Sequence, residues 1–233
     1  MSVSIREQSD ELKAAAAARL PAAVAVVFDD NARQMGLQGI PSAAIKVGDK
    51  MDSFTLRNAI GELVTLDELA AGGPVVIVFY RGGWCPYCNL ALRTYQRDLL
   101  PRLKGFDANL VAISPQTPDQ SLSTAHKAAL EFEVLSDPGS RLAKRIGIAF
   151  DQPPRVLAAQ RYLGLDLAEV NDEASTTLPM PTVVILDTDR VSRFVDVQPD
   201  YTARTEVVEI LDALAAMSPG PGLNPHLRCL GAD

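Results

Sequence analysis

The sequence predicts an α/β fold, a central mixed sheet flanked by helices, on three observations. Short runs rich in β-branched residues alternate with segments whose apolar residues recur at helical spacing. The runs 74–79 and 109–114 are almost wholly apolar, which is typical of strands buried on both faces of a parallel sheet. The segments 181–186 and 191–197 flank a tight turn at 187–190, and they therefore predict an antiparallel hairpin on the same sheet.

Composition divides the chain into three parts. Residues 1–40 are predicted to be a helical N-terminal extension, 41–217 the α/β domain, and 218–233 a tail rich in Pro and Gly that cannot form regular structure. Two helices are expected in the extension, broken near Pro21. They carry an apolar stripe that packs on the domain or on a second subunit: Leu20, Val24, Val27 and Phe28.

The other elements of the domain are predicted from capping patterns, turn residues and periodicity. Thr117 and Gln120 have the spacing of a capping box, and Pro118 suits the first helical position. A helix is therefore expected from there to about Leu130. The remaining elements are strands 53–57, 62–65 and 132–135, a helical turn 67–71, and helices 89–100, 140–146, 155–162 and 202–217.

The candidate reactive site is the Cys85-Pro86-Tyr87-Cys88 motif, which follows the first buried strand and a Gly-Gly turn. Pro86 suits the first helical position, which puts Cys85 at the N-cap and Cys88 in the first turn. Free backbone N–H groups and the helix dipole there lower a cysteine pKa from about 8.5 to roughly 3.5–7.5. Cys85 is therefore expected to be the better nucleophile, and the spacing allows a reversible disulfide with little backbone movement.

Metal binding is a second hypothesis, because a Cys-x-x-Cys pair is also half of a zinc site. The other half would come from His226 and Cys229 in the tail. The four ligands of such a zinc-stabilised binding module would be Cys85, Cys88, His226 and Cys229. Cys229 is otherwise an inert tail thiol or a third redox cysteine, and His126 is expected to have a surface or capping role.

Composition and charge narrow the class of protein. The net charge of −7 argues against a nucleic-acid surface. No apolar run reaches the roughly 18 to 20 residues of a membrane span, and the charged start of the chain is unlike a signal peptide. The cytoplasm is therefore the expected location. With only 3 cysteines the chain fits a reducing compartment, where such a pair is catalytic or metal-binding more often than structural. No cofactor is expected.

Several parts of the sequence resemble a known family. The order of elements, with Cys-x-x-Cys after the first core strand and Met180-Pro181-Thr182 opening the later hairpin, resembles the thioredoxin fold. Other stretches resemble the peroxiredoxin branch, the alkyl hydroperoxide reductase and thiol-specific antioxidant (AhpC/TSA) family. These stretches are 47–51, 54–56, 111–117 and 134–138, within a resemblance that covers about residues 45–215.

The resemblance implies a thiol peroxidase that reduces hydrogen peroxide or organic hydroperoxides through a Cys85/Cys88 dithiol–disulfide cycle. Its implied partners are a thiol reductant, such as thioredoxin or glutathione, and a second copy in a homodimer. Arg81 is interpreted as a cation near the thiolate or as a solvated loop residue. Trp84 is interpreted as a flat apolar surface for a partner or substrate, and Tyr87 as packing.

The active-site motif departs from the family pattern. Peroxiredoxins carry Pro-x-x-x-Thr-x-x-Cys, whose Cys falls on Cys88, while Thr and Pro fall on Cys85 and Arg81. The family's second arginine falls near Pro181, which is predicted to be a cis-proline facing Cys85, as in thioredoxins. Cys-Pro-Tyr-Cys itself resembles the glutaredoxin motif. A protein disulfide reductase, in which Cys85 attacks and Cys88 resolves, is therefore an alternative, and a redox sensor without turnover is a third.

Overall fold

The computed structural model describes residues 3–217, and its centre is a seven-stranded mixed sheet in the order β2-β1-β5-β4-β3-β8-β9. The three inner strands β3, β4 and β5 run parallel, and the flanking strands pair with them antiparallel. A separate two-stranded sheet joins β6 and β7. The strands are β1 (Thr55–Asn58), β2 (Leu63–Thr65), β3 (Val75–Phe79), β4 (Asn109–Ser114), β5 (Glu133–Ser136), β6 (Ala149–Asp151), β7 (Thr177–Pro179), β8 (Thr182–Leu186) and β9 (Ser192–Val197).

Ten α-helices surround the sheet in the described part of the chain. A π-helical turn, Tyr95–Leu99, interrupts the helix that follows the two cysteines. Within residues 3–217 every helix is too short or too polar to cross a lipid bilayer. The helices are α1 (Ile5–Arg19), α2 (Ala22–Gln38), α3 (Leu66–Ala70), α4 (Pro86–Thr94), α5 (Leu100–Leu103), α6 (Pro118–Ala128), α7 (Arg141–Arg145), α8 (Pro154–Tyr162), α9 (Leu167–Val170) and α10 (Val207–Met217).

Strand β3 shows how the core is divided. Its residues are buried throughout, and because alternate side chains point to opposite faces, each face receives every second residue. Val75, Ile77 and Phe79 join the apolar cluster on one face. Val76 and Val78 join the cluster on the other face, which also contains both cysteines. The two cysteines are therefore held on the face that α1, α4 and α10 cover.

The N-terminal helices pack on this domain. Ile5, at the start of α1, is 1% exposed within the cluster that contains the cysteines. Along the predicted stripe, Val24 is buried, while Leu20 and Phe28 are half-buried and line a cavity beside Cys85. The expected break near Pro21 is confirmed, since α1 ends at Arg19 and α2 begins at Ala22. The division into extension, domain and tail stays a prediction, and the tail lies outside the described residues.

Several elements differ from the sequence-based prediction. Strands β6 and β7 were not predicted. They are short and pair with each other across the chain segment that contains α8 and α9. The last helix begins at Val207 and not near Thr202. Asp200 explains the later start, because its carboxylate accepts hydrogen bonds from the backbone N–H and the hydroxyl of Thr202, which hold a turn in place of a helix.

Candidate active site

The two cysteines lie where the sequence predicts them, at the beginning of α4. Cys85 is the N-cap, with extended backbone angles, and Pro86 is the first residue of the helix. Cys88 therefore lies in the first turn, and both sulfurs are in the free, reduced form. Cys85 is 1% exposed and Cys88 is 0% exposed, so the chemistry of this pair is governed by the protein around it.

The Gly-Gly turn before the motif is required by close packing. Gly82 has a φ of +144°, a backbone angle that favours glycine. A Cβ on Gly83 would lie 2.1 Å from the hydroxyl oxygen of Thr124, so a side chain does not fit there. The backbone N–H of Gly83 donates to Oε1 of Gln116 at 2.6 Å, which ties the turn to the end of the neighbouring strand. These contacts fix the start of α4 against the sheet.

The guanidinium of Arg204 lies within reach of both sulfurs. Its Nη2 lies 3.0 Å from Sγ of Cys88 and 3.9 Å from Sγ of Cys85. Its Nη1 donates to the backbone carbonyls of Tyr201 and Ala203, at 2.6 and 2.5 Å. These bonds orient the guanidinium, because one edge is held by the loop and the other faces the cysteines. The arrangement favours negative charge on Cys88.

The two thiols have opposite pKa shifts. Burial raises the pKa of Cys88, but the hydrogen bond from the Cys85 thiol, the charge of Arg204, and the backbone N–H and charge of Arg81 together hold it well below its usual range. The pKa of Cys85 is raised well above its usual value because its proton bonds to Cys88, because it is buried, and because the Cys88 thiolate is close. Of the two thiols, Cys88 is therefore the one that ionises first.

This order corrects the expectation that Cys85 is the better nucleophile. That expectation used only the position of each cysteine at the helix N-terminus. The N-cap cysteine makes no capping hydrogen bond with its side chain, and Arg204 approaches the other sulfur more closely. The hydrogen bond from the Cys85 thiol and the charge of Arg204 both lower the pKa of Cys88, so these side-chain contacts, and not the helix position alone, decide which sulfur ionises first.

Arg81 and Trp84 form the side of the site that Cys85 faces. The Arg81 guanidinium lies 5.1 Å from the centre of the Trp84 ring and 4.4 Å from that of Tyr201. Arg81 is 4% exposed, which excludes the interpretation as a solvated loop residue. Tyr87 is buried and packs edge-on against Tyr201, with ring centres 6.1 Å apart, as the packing interpretation predicts.

Two cavities adjoin the pair, one for each sulfur. Cys88, Pro181 and Arg204 line a cavity of about 10 Å³, which is about the space of one water molecule. Cys85, Arg81 and Trp84 line a much larger cavity of about 510 Å³, bounded on other sides by α1, α2 and α8. The sulfurs are neighbours, yet each opens towards a different space.

The prediction that Pro181 is a cis-proline is wrong. Residues 3–217 contain no cis peptide bond, and Pro181 lines the small cavity beside Cys88, not the cavity beside Cys85. The chain is extended on both sides of the proline, where Met180 N–H donates to the carbonyl of Ile148 and Gln198 N–H donates to that of Pro181. The peptide bond before Pro181 is not cis, so this residue does not support a likeness to the thioredoxin active site.

The zinc hypothesis is not tested, because His226 and Cys229 lie outside the described residues. Within residues 3–217 no group of three or more His, Cys, Asp or Glu side chains could hold a metal ion. His126 is exposed on α6, as a surface role requires.

Arg204 is the functional residue that the sequence did not reveal. It is 116 positions from Cys88, in a segment that was predicted to be helical. No local motif marks it. The one available signal is indirect, since the family's second arginine is missing at Pro181 and its charge has to come from elsewhere in the chain.

The fold and the site together define a dithiol protein with a thioredoxin-like fold. Residues 47–195, more than half of the chain, match the model of the AhpC/TSA family. The chain belongs to this family, and the resemblance recognised in the sequence is confirmed. The thioredoxin-like fold with N-terminal helices is confirmed as well.

Particular relatives agree with this assignment. A chloroplastic peroxiredoxin Q of Populus jackii is 32% identical over 121 residues, which are 52% of this chain and 56% of that protein. Its counterpart from Triticum aestivum is 29% identical over 145 residues, 62% of this chain and 66% of that protein. This chain thus spans less than two thirds of either relative. The crystal structure of peroxidoxin BcpB from Mycobacterium tuberculosis has the same fold, with a TM-score of 0.60 at 21% identity over 75% of this chain and 99% of that one.

Proposed function

We propose that the protein is a thiol peroxidase in which Cys88 attacks the peroxide and Cys85 resolves the product. The observation that carries this assignment is the 3.0 Å contact between Arg204 Nη2 and Cys88 Sγ, which stabilises a thiolate at the position of the family's attacking cysteine. A thiolate, and not a thiol, is the nucleophile in peroxide reduction.

The first step oxidises Cys88. Its thiolate attacks one peroxide oxygen, the O–O bond breaks, and Cys88 becomes a sulfenic acid. The departing oxygen needs a proton to leave as water or an alcohol. The Cys85 thiol holds one, because its pKa is raised by the hydrogen bond to Cys88 and by burial. Arg204 lies where it stabilises the negative charge that develops on the departing oxygen.

The second step forms the disulfide. Cys85, now a thiolate, attacks Sγ of the Cys88 sulfenic acid, the S–O bond breaks, and the displaced hydroxide takes up a proton from solvent and leaves as water. The two residues share one helical turn, so the sulfurs meet without a large backbone movement. A thiol reductant then restores both thiols.

The geometry also explains how the altered motif remains suited to this chemistry. The family's Thr hydroxyl is replaced by the Cys85 thiol, which donates its hydrogen bond to Cys88. The family's second arginine is replaced by Arg204 from the loop before α10. Each polar function of the motif therefore has a substitute within reach of Cys88.

The surroundings of Cys88 favour a small peroxide. The cavity beside it has room for about one water molecule, and Cys88 itself is 0% exposed. Hydrogen peroxide is only slightly larger than water, whereas a bulky organic hydroperoxide requires α4 to open. We therefore expect faster reaction with hydrogen peroxide than with cumene hydroperoxide.

The alternative, a protein disulfide reductase, fits the geometry less well. In that reaction Cys85 would attack a partner disulfide, so it would need a low pKa and an exposed sulfur. Its pKa is raised, and it is 1% exposed. The cytoplasmic location, the homodimer and the identity of the reductant protein stay predictions.

Mass spectrometry after a single equivalent of hydrogen peroxide tests the assignment. The native protein is expected to form one Cys85–Cys88 disulfide. The Cys85→Ser variant is expected to accumulate a sulfenic acid on Cys88, trapped with dimedone, whereas Cys88→Ser stays unoxidised. Sulfenic acid on Cys85 in the second variant, or no oxidation of either cysteine in the native protein, would overturn the proposal.

A further inference from the structure

The large cavity beside Cys85 has features that the proposed peroxidase reaction does not use. Its volume of about 510 Å³ is in the range of small-molecule sites, which run from about 300 to 1,000 Å³. The helices α1, α2 and α8 enclose it, and most of its lining is apolar. Members of that apolar lining include Ala16, Leu20, Phe28, Val156, Leu163 and Leu165.

The cavity also contains an arginine that lacks an acidic partner. Arg81 is 4% exposed, its Nε has no hydrogen-bond partner, and none of the ion pairs within residues 3–217 includes it. The rings of Trp84 and Tyr201 hold the guanidinium in place. The indole Nε1 of Trp84 also lacks a partner. Two residues of the cavity lining thus each carry a buried donor without an acceptor, which is costly unless a ligand or a small rearrangement supplies one.

The charge of the lining points to an anion. Lys13, Arg19 and Arg81 line the cavity with positive charge, and Asp29 is the one acidic residue in its lining. The protein as a whole has a net charge of −7, so this cavity is opposite in sign to the average surface. An apolar cavity with a buried arginine matches a molecule with an apolar body and a carboxylate, which a guanidinium binds through paired hydrogen bonds.

The position of the disulfide indicates what such a molecule would do. Cys85 lines this cavity and Cys88 does not. An incoming thiolate would therefore meet Sγ of Cys85 and release Cys88 as the leaving group. Cys88 is the better leaving group, because Arg204 stabilises it as a thiolate.

We propose that this cavity binds a low-molecular-weight thiol that carries a carboxylate, and that this thiol reduces the Cys85–Cys88 disulfide by attacking Cys85. The inference rests on the proposed function and names the class of its reductant. One thiolate forms a mixed disulfide with Cys85 and releases the Cys88 thiolate. A second thiolate attacks the sulfur of the bound thiol, forms the oxidised dimer of the reductant, and releases Cys85, which takes up a proton. Two thiols are thus oxidised for each protein disulfide reduced.

A protein thiol does not fit the same route. The helices α1 and α2, which line the cavity, stand between Cys85 and a protein-sized partner. A small thiol needs only to enter the cavity. The proposal therefore expects a small anionic thiol to react faster than reduced thioredoxin at equal thiolate concentration.

The test starts from protein oxidised with diamide, so that it does not depend on peroxide chemistry. Reduction is followed by stopped-flow fluorescence of Trp84, the only tryptophan in the sequence. The rate of reduction by mercaptopropionate is compared with the rate of reduction by mercaptoethanol. The rate constant of each thiol is first divided by its rate constant with a small model disulfide, which corrects for intrinsic reactivity. The native protein is expected to prefer mercaptopropionate by about tenfold, and its rate to saturate with concentration.

Two variants with controls decide the role of the cavity. Arg81→Gln is expected to abolish the preference for mercaptopropionate, and Arg81→Lys to restore part of it; this ratio is insensitive to a general loss of reactivity. Ala16→Phe, which fills part of the cavity without adding a tryptophan, is expected to slow reduction by mercaptopropionate about tenfold relative to Ala15→Phe, which is exposed on the same helix.

The outcomes separate this inference from the proposed function. Equal rates for the two small thiols, reduced thioredoxin reacting fastest, or an Ala16→Phe variant that matches Ala15→Phe would overturn the inference and leave the peroxidase assignment intact. If diamide forms the disulfide and mercaptopropionate reduces it as expected while peroxide forms none, the peroxidase assignment fails and the reductant site stands.

Discussion

The surroundings of Cys88 and of Cys85 differ although the two residues share one helical turn. Cys88 lies against Arg204 and a cavity the size of one water molecule. Cys85 faces an apolar cavity of about 510 Å³ with a buried, unpaired arginine. One side stabilises charge on a sulfur, and the other has room for a ligand.

The position at the helix end therefore does not assign the roles of the two cysteines. Both residues lie at the same N-terminus, and on that basis alone the N-cap residue is the better nucleophile. The Cys85 thiol donates a hydrogen bond to Cys88, and the loop before α10 places a full charge 3.0 Å from its sulfur, and together these contacts reverse the order. The N-terminal helices then build the cavity over the remaining sulfur. A two-cysteine motif thus becomes asymmetric through residues distant in sequence.

The largest expected effect separates the two cysteines. Cys88→Ser is expected to reduce the second-order rate of peroxide consumption by about a thousandfold or more, because the nucleophile is removed. Cys85→Ser is expected to retain a single turnover, since its hydroxyl still donates a hydrogen bond to Cys88. Stopped-flow consumption of hydrogen peroxide at equal protein concentration measures both. A Cys85→Ser variant as inactive as Cys88→Ser would contradict the assignment of different roles to the two cysteines.

The next effect concerns Arg204. Arg204→Leu is expected to slow oxidation of Cys88 by about 10- to 100-fold at neutral pH, the effect of a lost charge-assisted hydrogen bond. Arg102→Leu, which removes an exposed arginine of α5, is the matched control and is expected to leave the rate unchanged. Arg204→Lys is expected to recover part of the rate.

The pH profile gives the sign of the Arg204 effect. Because the pKa of Cys88 is depressed in the native protein, its reactivity is present above that pKa and is lost as the pH falls through it. Removing Arg204 raises the pKa, so the profile is expected to move to higher pH. A slower variant with an unchanged midpoint would show that Arg204 acts on the peroxide and not on the thiolate.

A smaller effect is expected for Glu206, which joins α1 to the loop that contains Arg204. The carboxylate of Glu206 accepts hydrogen bonds from the backbone N–H groups of Ile5 and Arg6, at 3.0 and 2.8 Å, and so fastens α1 beside the loop of Arg204. Glu206→Ala is expected to lower the free energy of unfolding by about 1 to 2 kcal/mol. The control in denaturant titrations is Glu11→Ala, which changes an exposed residue of α1. Equal midpoints for both variants would show that this contact does not stabilise the fold.

The smallest effect tests what holds Arg81. Tyr201→Phe keeps the ring against the guanidinium and removes only a long contact, 3.5 Å from its hydroxyl to the carbonyl of Phe28. Its free energy of unfolding is expected to change by less than about 0.5 kcal/mol. Tyr201→Leu is expected to cost about 1 kcal/mol more, because the cation–π contact is lost. Equal stability of the two variants would mean that the ring does not hold Arg81.

Much of the sheet could be predicted because its signals are local. The apolar runs of β3 and β4 and the turn between β8 and β9 lie within short stretches of sequence, and Pro86 marks the start of α4. Strands β6 and β7 are different, since each has 3 residues and its partner lies beyond two intervening helices. Such short strands form because tertiary packing brings them together, and no local sequence pattern predicts them.

The site follows the same rule. Cys85 and Cys88 could be found from their spacing and their place after a buried strand. The role of Arg204 could not, because it depends on a contact across 116 positions. The backbone of Pro181 was predicted by analogy with thioredoxins, whereas here the chain stays extended through its contacts with Ile148 and Gln198.

The ultraviolet absorbance of the thiolate, titrated against pH, tests the central claim most directly, since it does not require a reagent to reach a buried sulfur. In the Cys85→Ser variant, thiolate absorbance is expected to persist well below the ordinary cysteine pKa of about 8.5, and in Cys88→Ser it is expected to appear only near or above that value. Ordinary titration of Cys88, or a thiolate on Cys85 at neutral pH, would contradict the assignment of Cys88 as the nucleophile.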